Sequence, residues 1–130
     1  MSEFVFFYSP GACSLAVHAA LEHAGADFEP VRVDLRQKQQ LAPDYLLLNP
    51  LGRVPTLVAG GMVLTETAAI ADFLDRRFPA AGLLPADDIA RALAQAAIQR
   101  LSSDIHPLYR ALWITDWFAE DAGAHPAIKA

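Results

Sequence analysis

One cysteine stands in 130 residues, so no internal disulfide can form. A chain with this cysteine usage suits a reducing compartment, and we expect a cytoplasmic protein. Charge is also scarce, at 19% of residues, below the usual share of a globular chain. The 10 Lys and Arg residues are spread thinly and outnumbered by 15 Asp and Glu, for a net charge of −5. Without a basic patch to neutralise phosphates, nucleic acid is not an expected partner. No segment approaches the roughly 20 uninterrupted apolar residues of a spanning helix. The aromatic run Phe4 to Phe7 has neither a basic region before it nor a small-residue cleavage site after it, so it reads as a strand rather than a signal peptide, and no membrane is expected. What the chain has in quantity is apolar surface. At 54% hydrophobic residues it can bury a core and, with so little charge, still leave apolar surface for a partner. Its length fits one ordinary domain, or a small domain with part of another.

The pattern of apolar residues alternates between two periods. Residues 3–8 are aromatic and β-branched, as in a buried strand, and Ser9-Pro10-Gly11 ends them with turn chemistry. Residues 14–24 carry Leu15, Ala16, Ala19, Ala20 and Leu21 near helical period, with Gly25 as a stop. Residues 28–33 read as a second strand in which Pro30 marks an edge or irregular position. A polar, exposed stretch at 36–40 follows, then a short helix at 43–48 and a turn at Asn49-Pro50-Leu51-Gly52. Gly60-Gly61, between apolar runs at 56–59 and 62–64, predicts a tight hairpin. Ala69, Ile70, Phe73 and Leu74 recur at helical spacing in a helix opened by Thr65-Glu66-Thr67 and closed by Phe78-Pro79. Residues 80–85 read as a linker, and the chain from Asp87 onward as helical.

Two positions invite a functional reading. Cys13 falls at the start of the first helix, where unpaired N–H groups and the positive end of the dipole favour a thiolate, so its pKa is expected below that of a free thiol. An inert buried thiol is the plain alternative. Ser14-Leu15-Ala16 follow, so there is no Cys-x-x-Cys pair and any chemistry is monothiol. Val54-Pro55 lies just before the first hairpin strand, and proline reduces the trans preference to about 0.5–1 kcal/mol. A cis bond would leave the Val54 N–H and C=O for an extended peptide, and a trans bond would be an ordinary strand start. The pattern leaves both open.

The runs YSPGACSLAVHAALEHAG, NPLGRVPTL and LTETAAIADFL, in this order and spacing, resemble the N-terminal, thioredoxin-like domain of glutathione S-transferases, most closely the bacterial beta class with its active-site cysteine. The resemblance implies an α/β fold, with a thioredoxin-like βαβαββα domain over residues 1–80 that binds glutathione, followed by a truncated all-helical domain over residues 81–130. SSDIH, at 102–106, is similar to the first helix of that second domain. Also implied are glutathione as co-substrate, no metal, a small electrophilic or disulfide substrate, and a homodimer.

Carried over residue by residue, the resemblance implies that Glu66 pairs with the ammonium of the γ-glutamyl end while the Thr67 N–H and hydroxyl take its carboxylate. Val54 would give two backbone hydrogen bonds to the cysteinyl portion, and Lys38 would meet the glycyl carboxylate. Helix capping by Glu66 or Thr67, and a solvated loop lysine at Lys38, are the plain alternatives. Pro55 and Tyr8 would stand behind the site, with the Tyr8 hydroxyl facing either it or the core. His106 would approach Cys13 and glutathione, stabilising a thiolate or carrying its proton. Pro107 stands after it where the family usually has Lys, and is expected to kink the helix. Gln99, Ser103 and Asp104 match glutathione contacts on the same helix, with Gln99 in the place of Asn. His18 reads as structural, and Trp113, Trp117 and Phe118 as core packing.

Two functions follow from these residues. The first is a glutathione transferase that activates glutathione as a thiolate for an electrophile, or exchanges it through Cys13 as a mixed disulfide. The second is a non-catalytic glutathione-binding or protein-interaction module without a complete hydrophobic-substrate pocket. The short helical part would be either a fragment or a short form whose exposed helix faces another copy buries.

Overall fold

The computed structural model describes residues 1–113, 115, 119 and 121–129. They form two compact units, Met1–Ala86 and Asp87–Ala130. In the first, β1 (Phe4–Tyr8) is followed by α1 (Ser14–His23), which returns the chain so that β2 (Phe28–Arg32) pairs parallel to β1, with Phe4 opposite Phe28. On the other side of β1 lies β3 (Thr56–Ala59), antiparallel, with Phe7 opposite Thr56. Gly60-Gly61 turns the chain into β4 (Met62–Thr65), which pairs with β3 as the hairpin pattern predicts. The order β2-β1-β3-β4 puts β2 at an edge, where a strand proline such as Pro30 is tolerated.

Alternation along β1 sorts its side chains between two faces. Phe4, Phe6 and Leu57 of β3 meet Val17 and Leu21 of α1 and Ile70 and Leu74 of α3 (Thr67–Arg77), all buried in one cluster. Phe73 and Phe78 both set their rings edge-on to Phe4, at 6.1 Å. On the opposite face Phe7 contacts Tyr45 of α2 (Pro43–Leu48), beside Val33 and Val54. Helices therefore cover both faces of the sheet, with α1 and α3 on one and α2 on the other.

The stretch at 36–40 is exposed as expected from Arg36 to Gln39 and departs from the expectation at Gln40. Gln39–Leu41 forms a 3-10 turn, and Gln40 is only 3% exposed. Gly52, at φ 59°, allows this packing, since a Cβ there would fall 2.9 Å from Leu41 Cδ2 and 3.0 Å from the Gln40 carbonyl oxygen.

In the second unit, α4 (Asp88–Arg100) starts at Asp87, whose carboxylate accepts the Ala90 N–H at 2.8 Å. A π turn at Leu101–Ile105 leads into α5 (His106–Trp113), and α6 (His125–Lys129) follows later. Pro107 was expected to kink this helix, and the chain answers with the π turn. A proline ring crowds the carbonyl four residues back, here that of Ser103, and a wider turn at that point relieves the crowding. Trp117 and Phe118 lie outside the described residues, as does the Trp113 side chain. No helix among the described residues is long and apolar enough to cross a membrane.

Leu57 is fully buried, whereas Leu47 on α2 is 85% exposed. Leu57→Ala should destabilise the protein by about 2–5 kcal/mol in urea unfolding, through lost burial and a residual cavity. Leu47→Ala should stay within about 0.5 kcal/mol of the parent.

Candidate functional site

The turn after β1 is closed by the residue that follows the cysteine. Ser14, fully buried, accepts the Ser9 N–H at Oγ and donates the same hydroxyl to the Ser9 carbonyl, both at 3.1 Å. Gly11 takes φ 74° to make the bend, and the Ala12 N–H donates to the Ser9 carbonyl at 3.2 Å. Cys13 is thereby held at the N-cap of α1, and its thiol donates to the Val54 carbonyl at 3.3 Å. Sequence reading passed over Ser14. A serine directly after the cysteine, five residues from Ser9, was the available signal.

Glu66 and Thr67, at the start of α3, also act on the thiol. Glu66 precedes α3 at φ 70°, ψ 122°, a conformation that costs a residue with a Cβ about 1–3 kcal/mol. Its side chain is exposed and makes no capping bond, so capping is not its role. The first intrahelical bond of α3 runs from the Ile70 N–H to the Glu66 carbonyl at 3.0 Å, which leaves the N–H groups of Thr67, Ala68 and Ala69 without an intrahelical acceptor. The Thr67 hydroxyl acts on the Cys13 sulfur in favour of its ionised form. The Val54-Pro55 bond is cis, and both residues are buried.

The expected low pKa of Cys13 is corrected by this geometry. Burial pushes the thiol above its ordinary value, and this outweighs the Thr67 hydroxyl and the N–H groups of Cys13 and Ser14, which all act to lower it. The Glu66 carboxylate adds a smaller upward push. The N-terminal amides thus work in the expected direction but do not prevail. The free protein holds Cys13 as a thiol at neutral pH.

Of the other expected site residues, Lys38 is exposed at φ 57° at the start of the 3-10 turn and makes no ion pair among the described residues. Tyr8 stacks on Phe6 at 5.8 Å and lies 5.2 Å from the His18 ring, so it faces the core side of the sheet. His18 packs against Phe6 and Phe28 as well, in a structural role. Gln99, Ser103, Asp104 and His106 belong to the second unit, and all four are exposed. Within it Ser103 Oγ lies 2.9 Å from the Gln99 carbonyl and 2.8 Å from Asp104 Oδ1, and His106 opens α5.

A four-stranded sheet of this order, with helices on both faces and a single thiol at the first helix N-terminus, defines a thioredoxin-like α/β domain. Residues 4–76 match the family described as glutathione S-transferase, N-terminal domain, and the chain belongs to the glutathione S-transferase family. Glutathione S-transferase 1 of Dianthus caryophyllus is 38% identical over 120 residues, 92% of this chain and 54% of that protein. The crystal structure of a glutathione transferase homologue from Sulfitobacter with bound glutathione aligns with a TM-score of 0.91 at 35% identity, covering 99% of this chain and 62% of that one. A bacterial beta class glutathione S-transferase from Sphingomonas chungbukensis aligns at 0.74 with 39% identity, covering 83% and 55%. The chain spans about half the length of the curated relatives it matches.

The pH profile of Cys13 alkylation by iodoacetamide reads this balance directly. Glu66→Gln should move the profile to lower pH, and Thr67→Val should move it to higher pH. Shifts of the opposite sign would refute the assignment. Because the folded thiol ionises at higher pH than the unfolded one, its contribution to stability is complete below the ordinary thiol range. Urea midpoints should therefore fall as pH rises beyond that range.

Proposed function

We propose that this protein is a glutathione transferase, with residues 1–80 holding glutathione and residues 81–130 forming part of a helical domain. The observation that carries the reading is the convergence of the Cys13 thiol, the Val54 carbonyl, Glu66 and the start of α3 at one end of the sheet. Glu66 would receive the ligand ammonium, and the open N–H groups of α3 its γ-glutamyl carboxylate. Val54 would hold the cysteinyl portion as an added strand, and Lys38 the glycyl carboxylate.

A thiol held protonated at neutral pH is a hydrogen-bond donor. Its proton, given to the Val54 carbonyl in the free protein, is redirected to the glutathione sulfur, whose own proton leaves to solvent. The thiolate so stabilised attacks a small electrophile, as in detoxification. Thiol-disulfide exchange uses the other protonation state. Ionised Cys13 attacks a sulfur of a glutathione disulfide, a Cys13–glutathione S–S bond forms as the old one breaks, and the released thiolate takes up a proton. The raised pKa therefore favours conjugation near neutrality, with exchange gaining as pH rises.

For Gln99, Ser103 and Asp104 as glutathione contacts, and for His106 as proton carrier, the proposal rests on the motif resemblance. The reading includes a cytoplasmic homodimer. The exposed Ile89, Leu93, Leu108 and Leu112 on the helix from Asp88 to Trp113 supply apolar surface for a partner copy.

Glutathione binding by calorimetry, conjugation to a chromogenic electrophile, and intact mass after incubation with oxidised glutathione test the reading together. Wild type should bind glutathione, conjugate it and gain one glutathionyl mass. Cys13→Ser should keep binding and lose the added mass. Cys13→Ala should lower conjugation kcat/KM about tenfold or more, the cost of one hydrogen bond to a charged sulfur. Binding without turnover in the wild type would mark a glutathione-binding module instead, and a glutathionyl mass retained in Cys13→Ser would remove Cys13 from the exchange reaction.

A further inference from the structure

The turn Asn49-Pro50-Leu51-Gly52 leads into the loop that carries Val54, and a closed set of buried polar groups grips that loop. The Tyr45 hydroxyl donates to the Arg53 carbonyl at 2.6 Å. Asn49 Nδ2 donates to the same carbonyl at 2.9 Å and to Thr56 Oγ1 at 3.2 Å. Thr56 Oγ1 and Tyr45 Oη are 2.9 Å apart. Tyr45 has one proton and gives it to Arg53, so Thr56 is the donor in that pair. Asn49 Oδ1 accepts the Leu51 N–H at 3.1 Å, which fixes the orientation of the amide. Both lone pairs of the Arg53 carbonyl and both amide hydrogens of Asn49 are thus used. Tyr45, Asn49 and Thr56 are all buried, at 7%, 3% and 0% exposure.

The gripped carbonyl belongs to the same peptide plane as the Val54 N–H. A peptide unit is rigid and, in its trans form, points its C=O and N–H in opposite directions. Holding the Arg53 carbonyl in the buried network therefore aims the Val54 N–H away from it, and no described residue accepts that N–H. Tyr45 and Val54 also belong to one buried apolar cluster with Val33. The next carbonyl, that of Val54, receives the Cys13 thiol.

We infer that Tyr45, Asn49 and Thr56 are positioning residues that clamp the Arg53–Val54 peptide, so that Val54 presents its backbone to a glutathione peptide and to Cys13. The inference rests on the proposed role of Val54 in glutathione binding. None of the three side chains contacts Cys13. They act through one peptide plane, and their effect is read in ligand affinity and in thiol reactivity. Networks of this kind are all-or-none devices. With every group satisfied they rigidify a loop, and with one member removed they leave a buried group unpaired.

Tyr45→Phe and Thr56→Val each delete one hydroxyl at nearly constant shape, and Thr56→Ser restores the hydroxyl without the methyl. In the full chain, both deletions should weaken glutathione binding about tenfold by calorimetry, raising KM while kcat at saturating glutathione stays within about twofold. Both should also change the rate of Cys13 alkylation in the absence of glutathione, and Thr56→Ser should return both readouts toward the parent. Tyr45→Phe is the milder change if Thr56→Val fails to melt cooperatively. A cooperatively melting Tyr45→Phe with parental affinity and parental alkylation rate overturns the inference. If wild type binds no glutathione, the proposed function falls. In that case an altered alkylation rate in Tyr45→Phe, with a near-parental rate in Thr56→Ser, still supports the clamp on Val54, and an unaltered rate in Tyr45→Phe removes it.

Discussion

Phe6 and Leu57 face each other across the antiparallel pair of β1 and β3, and both are fully buried. The remainder of the site is a consequence of that burial. A slip of one residue in this register would turn Leu57 out of the core and bring Thr56 or Val58 inward, so the apolar face locks the pairing. The locked register sets the end of β1 beside the start of β3. Cys13 and Val54, 41 residues apart in the chain, then meet at 3.3 Å. The parallel partner adds a second constraint. Joining β1 to β2 needs a crossover, and α1 supplies it, so a helix N-terminus must lie at the carboxyl end of β1. A residue at the start of that helix is committed to the site by topology before its chemistry is considered.

The same placement sets two electrostatic effects against each other. The helix start brings N–H groups to the sulfur, and the packing that positions the helix removes water from it. Desolvation wins, and the thiol is a donor rather than a thiolate. The donor then finds the Val54 carbonyl, the group that an extended peptide would use. In the proposed binding mode, thiol and ligand would share an acceptor. Glu66 belongs to the same balance, since a carboxylate held in a strained backbone beside a sulfur opposes its ionisation until a cation meets it.

Periodicity made most of the first unit legible. The hairpin around Gly60-Gly61, the short helix over residues 43–48 and the edge position of β2 are all written in local chemistry: positive-φ glycines, a proline at a helix start, a proline in a strand. The three motifs single out Cys13, Val54, Glu66 and Thr67, and the fold brings these four together. What escaped depends on contacts distant in the chain. Gln40 is polar and belongs on a surface by composition, and it is buried because Gly52 admits its turn. Ser14, Tyr45, Asn49 and Thr56 are small or amphipathic residues with no periodic signature. Their part in the structure exists only once β3 has brought its loop against α2. The thiol pKa was misjudged because sequence shows the helix start and conceals the burial.

The second unit turns a local irregularity into a continuous surface. In a straight α-helix each residue advances about 100° around the axis, so Ile89 and Leu93 share a face, and Leu108 and Leu112 would drift roughly a quarter turn away from it. The π turn at Leu101–Ile105 inserts one extra residue and rotates everything after it back by about the same 100°. Leu108 and Leu112 are thereby returned to the face of Ile89 and Leu93, and all four are exposed. Pro107 supplies the local cause, since its ring crowds the Ser103 carbonyl in an ordinary turn, and the alignment of the apolar stripe is the result. A residue that breaks helices by its local chemistry here keeps a single apolar face running from α4 into α5.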